Sequence, residues 1–409
     1  MKLAIVPVLL STLVLMGCGR ADGAPASVTR DSAGVTIVEN QAPLDGDSPR
    51  YRVDSVATVE IRSSRGEGHE FDTNVIPAKL SDGRIVVADP SAWEIHLFSP
   101  QGQPLNTFGR KGRGPGEFES ITSIARFAGD SLVAYDVLLR RYSVFDGAGG
   151  FVRSGSFTAG TGMPIPVGAF HDGALLIRDG FPLRPSGTAG PSVVTGGQSG
   201  ELQALTPLYR VPLNGASVDS IGAISGSEIL LQATPQAMSM TPIHFGRTAI
   251  VTARDSAIVI GDGAGFDFLI RRETGELVGQ FRRPAAAHPV TAAEVEVLIT
   301  AQLASLPAGV HERMGQRLRE TPHRSTKPEY DRVLLSDAGE IWIRQFTVSA
   351  LGGGFSTWSV FSAKGEWLCD VPLPAAFMPY AISREHVVGT LTDENDGVLV
   401  QVRPLRSAR

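Results

Sequence analysis

The densest run of glycine in the chain carries three cations that could contact an anion. Residues 109–118 read GRKGRGPGEF, which displays Arg110, Lys111 and Arg113 between the glycines. A phosphate-binding loop requires Lys and then Ser or Thr after its second glycine, where this chain has Pro-Gly, and the glycine offsets also miss the dinucleotide fingerprint. The run therefore predicts a sharp backbone turn. Its cations are either solvated or contribute to a site for an anionic or polar ligand.

Two aspartates at equivalent places in two similar segments are the other candidates for chemistry. Asp89 and Asp136 each end a short β-rich run. An Asp in this position stabilises the following turn by accepting backbone amides, or it serves as a metal ligand or catalytic carboxylate. The eight histidines show no HExxH or short paired spacing, and no Gly-x-Ser-x-Gly elbow occurs. We expect the turn-stabilising role, identify no cofactor and leave a divalent metal open.

The N-terminus is organised as an export signal. Lys2 precedes an apolar run from Leu3 to Met16, which is shorter than the roughly 20 residues of a transmembrane helix. Leu15-Met16-Gly17-Cys18 resembles the bacterial lipobox, in which the peptidase cuts before an acylated Cys. The resemblance implies lipidation of Cys18 and stable anchoring through two or three acyl chains. An Asp in place of Gly19 would resemble the inner-membrane retention signal, so the outer membrane of a diderm host is expected.

The second cysteine and the net charge argue against an intrachain disulfide and against a nucleic-acid partner. Cys369 lies in an apolar run and is expected to be a small buried hydrophobe. Acylation of Cys18 would leave no intrachain disulfide. The formal net charge of -5 gives no support for a nucleic-acid partner, because such a partner requires a basic face.

Two consecutive segments share one pattern of strands and turns. Residues 78–108 and 122–157 align on Asp89 and Asp136. Each contains a turn, a short strand before the Asp, a loop, a strand that ends in Phe, a glycine turn and an outer strand. Self-similarity at a period of about 40 to 47 residues is typical of the four-stranded blades of a β-propeller.

The same segments carry a family resemblance. The run GRIVVAD from Gly83, the run IHLF from Ile95 and the linker at 109–118 resemble the NHL-type six-bladed β-propellers. They are most similar to the bacterial secreted and lipid-anchored branch, in which a GR-G-GPGEF-like linker joins successive blades. The match covers Lys79 to Phe157 and follows in outline elsewhere. It implies an all-β fold of six blades. Some six-bladed relatives are metal-dependent lyases or lactonases, although their ligands cannot be placed on this chain residue by residue.

The remaining repeats are less regular. They are traced at 168–211, with a Gly-, Ser-, Pro- and Thr-rich loop at 184–200, then at 221–281, 332–368 and 380–402. The last repeat supplies three strands only. Because an open sheet edge at the seam is unfavourable, we expect Val53 to Ile61 or Val35 to Val38 to add the missing strand.

One insertion interrupts the strand pattern. Thr291 and Glu294 form a capping box ahead of apolar residues at helical spacing, and an arginine-rich segment follows from His311 to Arg324. We expect a packed lid with a solvated basic face, and the alternative is contact with a partner or an anionic ligand.

These patterns combine into one predicted organisation. Residues 1–17 form the signal peptide, 18–50 the lipidated Cys and a flexible tether, and 51–405 a six-bladed β-propeller with a helical insertion at 289–324. The predicted function is that of a binding or scaffolding module for a protein or small ligand, held at the cell envelope by its lipid. The alternative is a metal-dependent hydrolase or lyase with its site in the central channel.

The lipid anchor can be tested by removing the acylated thiol. We expect Cys18→Ser to release the protein from the membrane fraction, because the thiol is the atom that is acylated. Fractionation of cell envelopes measures this, with Cys369→Ser as the matched control that should stay with the membrane. Unchanged membrane retention of Cys18→Ser would contradict lipidation.

Overall fold

The fold is all-β and propeller-like, with two α-helices among the described residues. The computed structural model describes residues 25–46, 49–62, 71, 74–157, 163–180, 200–214, 217–233, 238–263, 265–284, 287–304, 306, 308–348, 354–392 and 397–407. The expected signal peptide, Cys18 and nearly all of the loop at 184–200 lie outside these residues. Within them, no helix has the length and apolar character needed to cross a membrane.

The N-terminal part of the chain contributes short strands to other sheets. These are β1 (Ser27–Ser32), β2 (Val35–Asn40), β3 (Tyr51–Val53) and β4 (Val59–Ile61). β1 and β2 form an antiparallel hairpin, and β2 lies parallel to a strand that ends at Arg282. Buried Asn40 donates to the carbonyls of Arg282 (3.2 Å) and Gly365 (2.9 Å) and accepts from the Trp367 amide (2.8 Å). The expected tether at 18–50 is therefore wrong for residues 25–46, which belong to the folded body.

The two aligned repeats form two antiparallel four-stranded sheets. Sheet I contains β5 (Ile76–Lys79), β6 (Ile85–Asp89), β7 (Glu94–Phe98) and β8 (Pro104–Phe108). Sheet II contains β9 (Ile121–Phe127), β10 (Ser131–Asp136), β11 (Arg141–Phe145) and β12 (Phe151–Ser156). In both sheets the two middle strands are almost fully buried, because they pack against sheets on both faces.

An eleven-stranded sheet, sheet III, follows and consists of two arms. The first arm contains β13 (Met163–Phe170), β14 (Leu175–Gly180), β15 (Gly200–Val211), β16 (Asp219–Ala233) and β17 (Met238–Pro242). The second arm contains β18 (Ile250–Asp255), β19 (Ala257–Gly261), β20 (Asp267–Arg272) and β21 (Leu277–Arg282), followed by β2 and β1. The arms meet where β13 pairs in parallel with β18. The predicted fourth repeat began at Ile221, but β16 pairs with β15, so this prediction was wrong for residues 221–231.

Two more sheets complete the body. Sheet IV contains β22 (Tyr330–Leu335), β23 (Ile341–Gln345), β24 (Phe355–Phe361) and β25 (Trp367–Pro374). Sheet V contains β26 (Phe377–Ile382), β27 (His386–Thr392) and β28 (Val398–Ser407), with β3 and β4 paired to β28. Leu405 lies opposite Val53, and Val400 lies opposite Ile61. The predicted closure by the segment from Val53 to Ile61 is confirmed.

The first strands of the sheets and arms form a closed ring. β5, β9, β13, β18, β22 and β26 contact one another in this order, and β26 contacts β5. The buried apolar clusters lie between successive sheets or arms around this ring. Between the second arm and sheet IV, Phe268 stacks on Phe281 at 5.2 Å, and Phe361 lies 4.9 Å from Phe281. Packing between sheets therefore holds the ring together.

The insertion forms α1 (Ala292–Ala304) and α2 (His311–Glu320). The predicted capping box is confirmed, since Thr291 and Glu294 exchange hydrogen bonds. α2 packs on the first arm of sheet III, where Arg317 donates to Thr241 (2.8 Å). Arg324, just beyond α2, pairs with Glu228 (2.9 Å) and Glu201 (2.7 Å). These two arginines are used to dock the insertion.

Strand β24 offers a matched test of the packing between sheets. Phe361 is fully buried, whereas Phe355 on the same strand is 67% exposed. We expect Phe361→Ala to lower the free energy of unfolding by about 3–5 kcal/mol through the lost contacts and the cavity left behind. Phe355→Ala should change it by less than about 0.5 kcal/mol. Urea unfolding measures both variants, and equal losses would contradict the assigned core.

Candidate functional site

A central cavity of about 1420 Å³ lies inside the ring of first strands. All six strands of the ring contribute to its lining, and most of the strand residues are small or apolar. The turns after five of these strands and the last residue of β18 also line the cavity, so they form one end of it, which we call the mouth. These lining residues are Ser81–Gly83, Gly129–Asp130, His171, Asp255, Asp337 and Ser383–Glu385.

A chain of polar contacts runs around and across the mouth. Asp130 accepts hydrogen bonds from the backbone amide (2.9 Å) and hydroxyl (2.7 Å) of Ser81. Arg126 lies 3.4 Å from Asp130 and 3.6 Å from Asp337, and Arg254 pairs with the same Asp337 carboxylate. Burial alone would raise the pKa of Asp130, but the hydrogen bonds from Ser81 and Arg126 outweigh it and hold the pKa below its usual value.

The contact between Arg126 and Asp337 crosses the cavity. Arg126 is on β9, whose neighbours in the ring are β5 and β13, whereas Asp337 follows β22, whose neighbours are β18 and β26. The two strands are therefore three places apart in either direction. Both side chains are partly exposed, at 26% and 37%. Ion pairs with this exposure contribute about 0–1 kcal/mol, so the contact across the mouth is weak.

A lysine and a histidine form a second polar group in the cavity. The Lys79 ammonium lies 3.2 Å from Nδ1 of His386. Burial lowers the pKa of Lys79, and the nearby carboxylates of Glu385 and Asp337 act in the opposite direction. Burial also lowers the pKa of His386, and the charge of Lys79 lowers it further. Both effects disfavour the charged form of the imidazole beside the ammonium.

A third polar group is an arginine on the cavity wall. The Arg332 guanidinium lies 5.0 Å from the centre of the Tyr380 ring, and both residues line the cavity. Burial lowers the pKa of Arg332. Its neighbour Asp331 pairs instead with Arg344 (2.6 Å). Within the described residues, Arg332 is in no ion pair, although the nearby Asp331 carboxylate partly offsets the lowering of its pKa.

The three cations predicted from the glycine-rich run have partners of their own. Arg110 pairs with Glu117 (2.6 Å), and Arg113 pairs with Glu119 (2.6 Å). The Lys111 ammonium lies 4.4 Å from the centre of the Trp93 ring. None of these cations lines the central cavity.

The glycine-rich connector is fixed to sheet II. Arg141 donates to the carbonyls of Arg113 (2.6 Å), Gly114 (2.9 Å) and Glu117 (2.6 Å). The connector enters β9 at Ile121, whereas the mouth begins where β9 ends. At about 3.3 Å per residue, the seven-residue strand puts them roughly 20 Å apart. A ligand role for Arg110, Lys111 and Arg113 at the mouth stays a prediction, and their placement does not favour it.

Both predicted aspartates have carboxylates occupied by local donors. Asp89 accepts from the amides of Ser91 (3.0 Å) and Ala92 (3.1 Å), as an Asx turn does. Asp136 accepts from the amides of Glu119 (2.6 Å) and Ser120 (2.9 Å), which ties the connector to β10. The described residues contain no group of three or more His, Cys, Asp or Glu side chains arranged to hold a metal ion.

The sequence did not single out the polar residues that meet at the cavity. Arg126, Arg254 and Asp337 are ordinary charged residues in three different repeats, and Lys79 and His386 are separated by 307 positions. The only indication in the sequence was the place that charged residues occupy within each repeat. Charged residues recur at the first turn of each repeat, in the runs SDGR, AGD, HDG, RDS, SDAG and SREH.

Several solved structures are similar to this chain, and one with a TM-score of 0.50 supports the fold. A Bacteroides vulgatus member of the DUF4221 family matches 88% of this chain and 99% of its own, with 8% identity and a TM-score of 0.50. A Bacteroides fragilis protein described as exported matches 91% and 100%, with 10% identity and a TM-score of 0.48. A gluconolactonase from Xanthomonas campestris matches 87% and 100%, with 12% identity and a TM-score of 0.40.

The likeness with a TM-score of 0.50 concerns the fold alone. No family model matches the chain, and no curated protein matches it by sequence. The sheets and the ring of first strands show an all-β, propeller-like fold. The finer resemblance to NHL-type propellers stays a prediction.

The titration of His386 tests the Lys79 contact. In Lys79→Met we expect the pKa of His386 to rise towards 6.5, because one of the two effects that lower it is gone. NMR titration of the ring measures the shift, with Arg110→Met as the matched control at the opposite end of β9. An unchanged His386 pKa in Lys79→Met would contradict the contact.

The same shift predicts a dependence of stability on pH. The pKa of His386 in the folded protein lies below the unfolded value of about 6.5. Its contribution to the free energy of unfolding is therefore complete above that pH, and it is lost as pH falls through the lower folded value. This loss should be smaller in Lys79→Met.

Proposed function

We propose that this protein is a lipid-anchored, six-bladed β-propeller outside the cytoplasm that binds a small ligand in its central cavity. The observation that carries the ligand site is the meeting of charged groups from separate sheets at one mouth of a cavity of about 1420 Å³. Ligand sites are typically concave and mostly apolar, with a few polar groups that converge on the ligand. The cavity combines both properties.

The number of blades is supported by the ring of first strands. Six of these strands contact one another in a closed order. The two arms of sheet III then represent two blades whose first strands pair along β13 and β18. This pairing joins them into one continuous sheet without removing the apolar cluster between them. Sheet V counts as the blade that is closed by β3 and β4.

The proposed location at the cell envelope is supported by the sequence. Lys2, the apolar run and the lipobox-like Leu15–Cys18 favour export and acylation. β1 begins at Ser27, nine positions after Cys18, so an extended linker would reach about 30 Å. A lipid on Cys18 would therefore hold the outer edge of the second arm close to the membrane, in our proposal the outer membrane. The propeller domain would extend from about residue 25 to 405, with the helical insertion at 289–324.

Ligand binding is preferred over catalysis because the charged groups at the mouth are engaged with one another and with backbone atoms. The alternative is a metal-dependent hydrolase or lyase, and no feature of the described residues favours it. Metal analysis of the purified protein and assays on lactone and ester substrates test it. Bound metal together with turnover that a chelator abolishes would replace the binding proposal.

The cavity itself is tested by filling it. Ala125 lines it from β9, and we expect Ala125→Trp to abolish or strongly weaken the binding of any ligand found in a small-molecule screen. Calorimetry measures affinity, and circular dichroism verifies that the variant is folded. Leu105→Trp is the control, because Leu105 is 55% exposed on the outer strand β8. Equal affinities of the two variants and the wild type would contradict a ligand site in the cavity.

A further inference from the structure

One carboxylate at the mouth is shared by two arginines from different strands. Both the Arg126 and the Arg254 guanidinium contact Oδ1 of Asp337. Arg254 also donates to the carbonyl of Leu335 (3.4 Å), which holds it at the end of β22. A guanidinium presents several N–H donors in a planar fork that suits a carboxylate. Two guanidiniums that converge on one carboxylate oxygen are therefore a ready-made carboxylate site.

The occupant of this site is partly exposed, and one of its two arginine contacts is long. Asp337 lies on the turn between β22 and β23, and its side chain is 37% exposed. Its contact with Arg126 is 3.6 Å long and spans the cavity between strands on opposite sides of the ring, whereas Arg254 holds it by a short hydrogen bond. A carboxylate from solution can take the place of such a group without leaving an isolated buried charge, because Asp337 becomes hydrated when it is displaced.

The inner part of the cavity favours the same charge. The carboxylates that line the cavity lie on the turns or at a strand end, namely Asp82, Asp130, Asp255, Asp337 and Glu385. Of the cations that line it, Arg332 lies within β22, and Lys79 is the last residue of β5. Lys79 contacts the imidazole of His386, and Arg332 lies over the Tyr380 ring. Within the described residues neither cation is in an ion pair, so an anionic ligand that enters past Asp337 can approach both of them.

The wall around these cations is apolar. Ile76, Val167 and Leu334 line the cavity beside small residues such as Ala125 and Ala253. A ligand with a hydrocarbon body and a terminal charge would bury its body here and place its charge on the arginines. Inorganic anions would use the charges but not this wall.

We propose that the cavity binds a small organic carboxylate whose charged group replaces Asp337 between Arg126 and Arg254. This proposal rests on the proposed ligand-binding function and names its ligand class. Asp337 then acts as an internal competitor, which occupies the arginines when the cavity is empty of ligand and is released when the ligand binds.

The experiment compares charged and neutral probes of the same shape. Adipate, benzoate and citrate are titrated into the full-length protein by calorimetry, with the neutral diamide of adipate and inorganic phosphate as comparisons. We expect at least one carboxylate to bind and the diamide not to bind. Asp337→Asn should tighten carboxylate binding about threefold or more, because the competitor loses its charge. Arg126→Gln and Arg254→Gln should each weaken it about tenfold or more.

Controls separate these effects from misfolding. Asp146 also lies on a turn, but it accepts the amides of Ala148 and Gly150 outside the cavity, so Asp146→Asn should leave the affinity unchanged. Urea unfolding of each variant verifies the fold. Since Asp337→Asn is expected to gain affinity, partial unfolding cannot imitate the expected result.

Several results would overturn the proposal. These are equal binding of adipate and its diamide, tighter binding of phosphate than of every carboxylate, unchanged or weaker affinity in Asp337→Asn, and no carboxylate binding to either the wild type or Asp337→Asn. If neutral ligands bind and Ala125→Trp blocks them, the ligand cavity stands and only its carboxylate class fails. If Ala125→Trp affects no ligand, the proposed function fails as well.

Discussion

The pairing of the last strand with the first part of the chain is the constraint on which the ring depends. β28 accepts β3 and β4 along its edge, with Leu405 opposite Val53 and Val402 opposite Val59. Ile61 is buried in the cluster between sheets V and I. Without these strands β28 would present an open edge. Sheet V would also lose part of the surface that packs on sheet I, so β26 and β5 would no longer be held side by side.

The distances between the charged groups of the candidate site depend on this closure of the ring. Arg126, Arg254 and Asp337 come from three separate sheets or arms, and Arg254 and Asp337 are 83 positions apart. Lys79 and His386 come from the sheets on either side of the seam. Each side chain stands on a short, well-packed strand or at its end, so the distances between their charged groups are set by the packing between sheets. Rigid scaffolds of this kind position functional groups on otherwise variable turns.

Local sequence patterns predicted local structure well. The alignment of Asp89 with Asp136, the capping box at Thr291 and the three-stranded last repeat all depend on neighbouring residues, and all correspond to observed elements. The places of β2 and β16 in the sheets were harder to predict from the sequence. β2 pairs with a strand more than two hundred positions away, and β16 continues a long hairpin with β15. Glycine content located the connector at 109–118, because glycine indicates an unusual backbone conformation. It does not indicate where charged residues from distant repeats meet, so the mouth could not be predicted from it.

The placement of the N-terminal strands also decides when the protein can finish folding. Asn40 bonds to the amide of Trp367, 327 positions later, and Gln401 bonds to Glu60, 341 positions earlier. β3 and β4 therefore wait for almost the whole chain before they find their partner strand β28. Contacts over such separations form slowly, and unpaired strands are prone to aggregation. The ring can therefore close only after the C-terminal strand β28 has been synthesised.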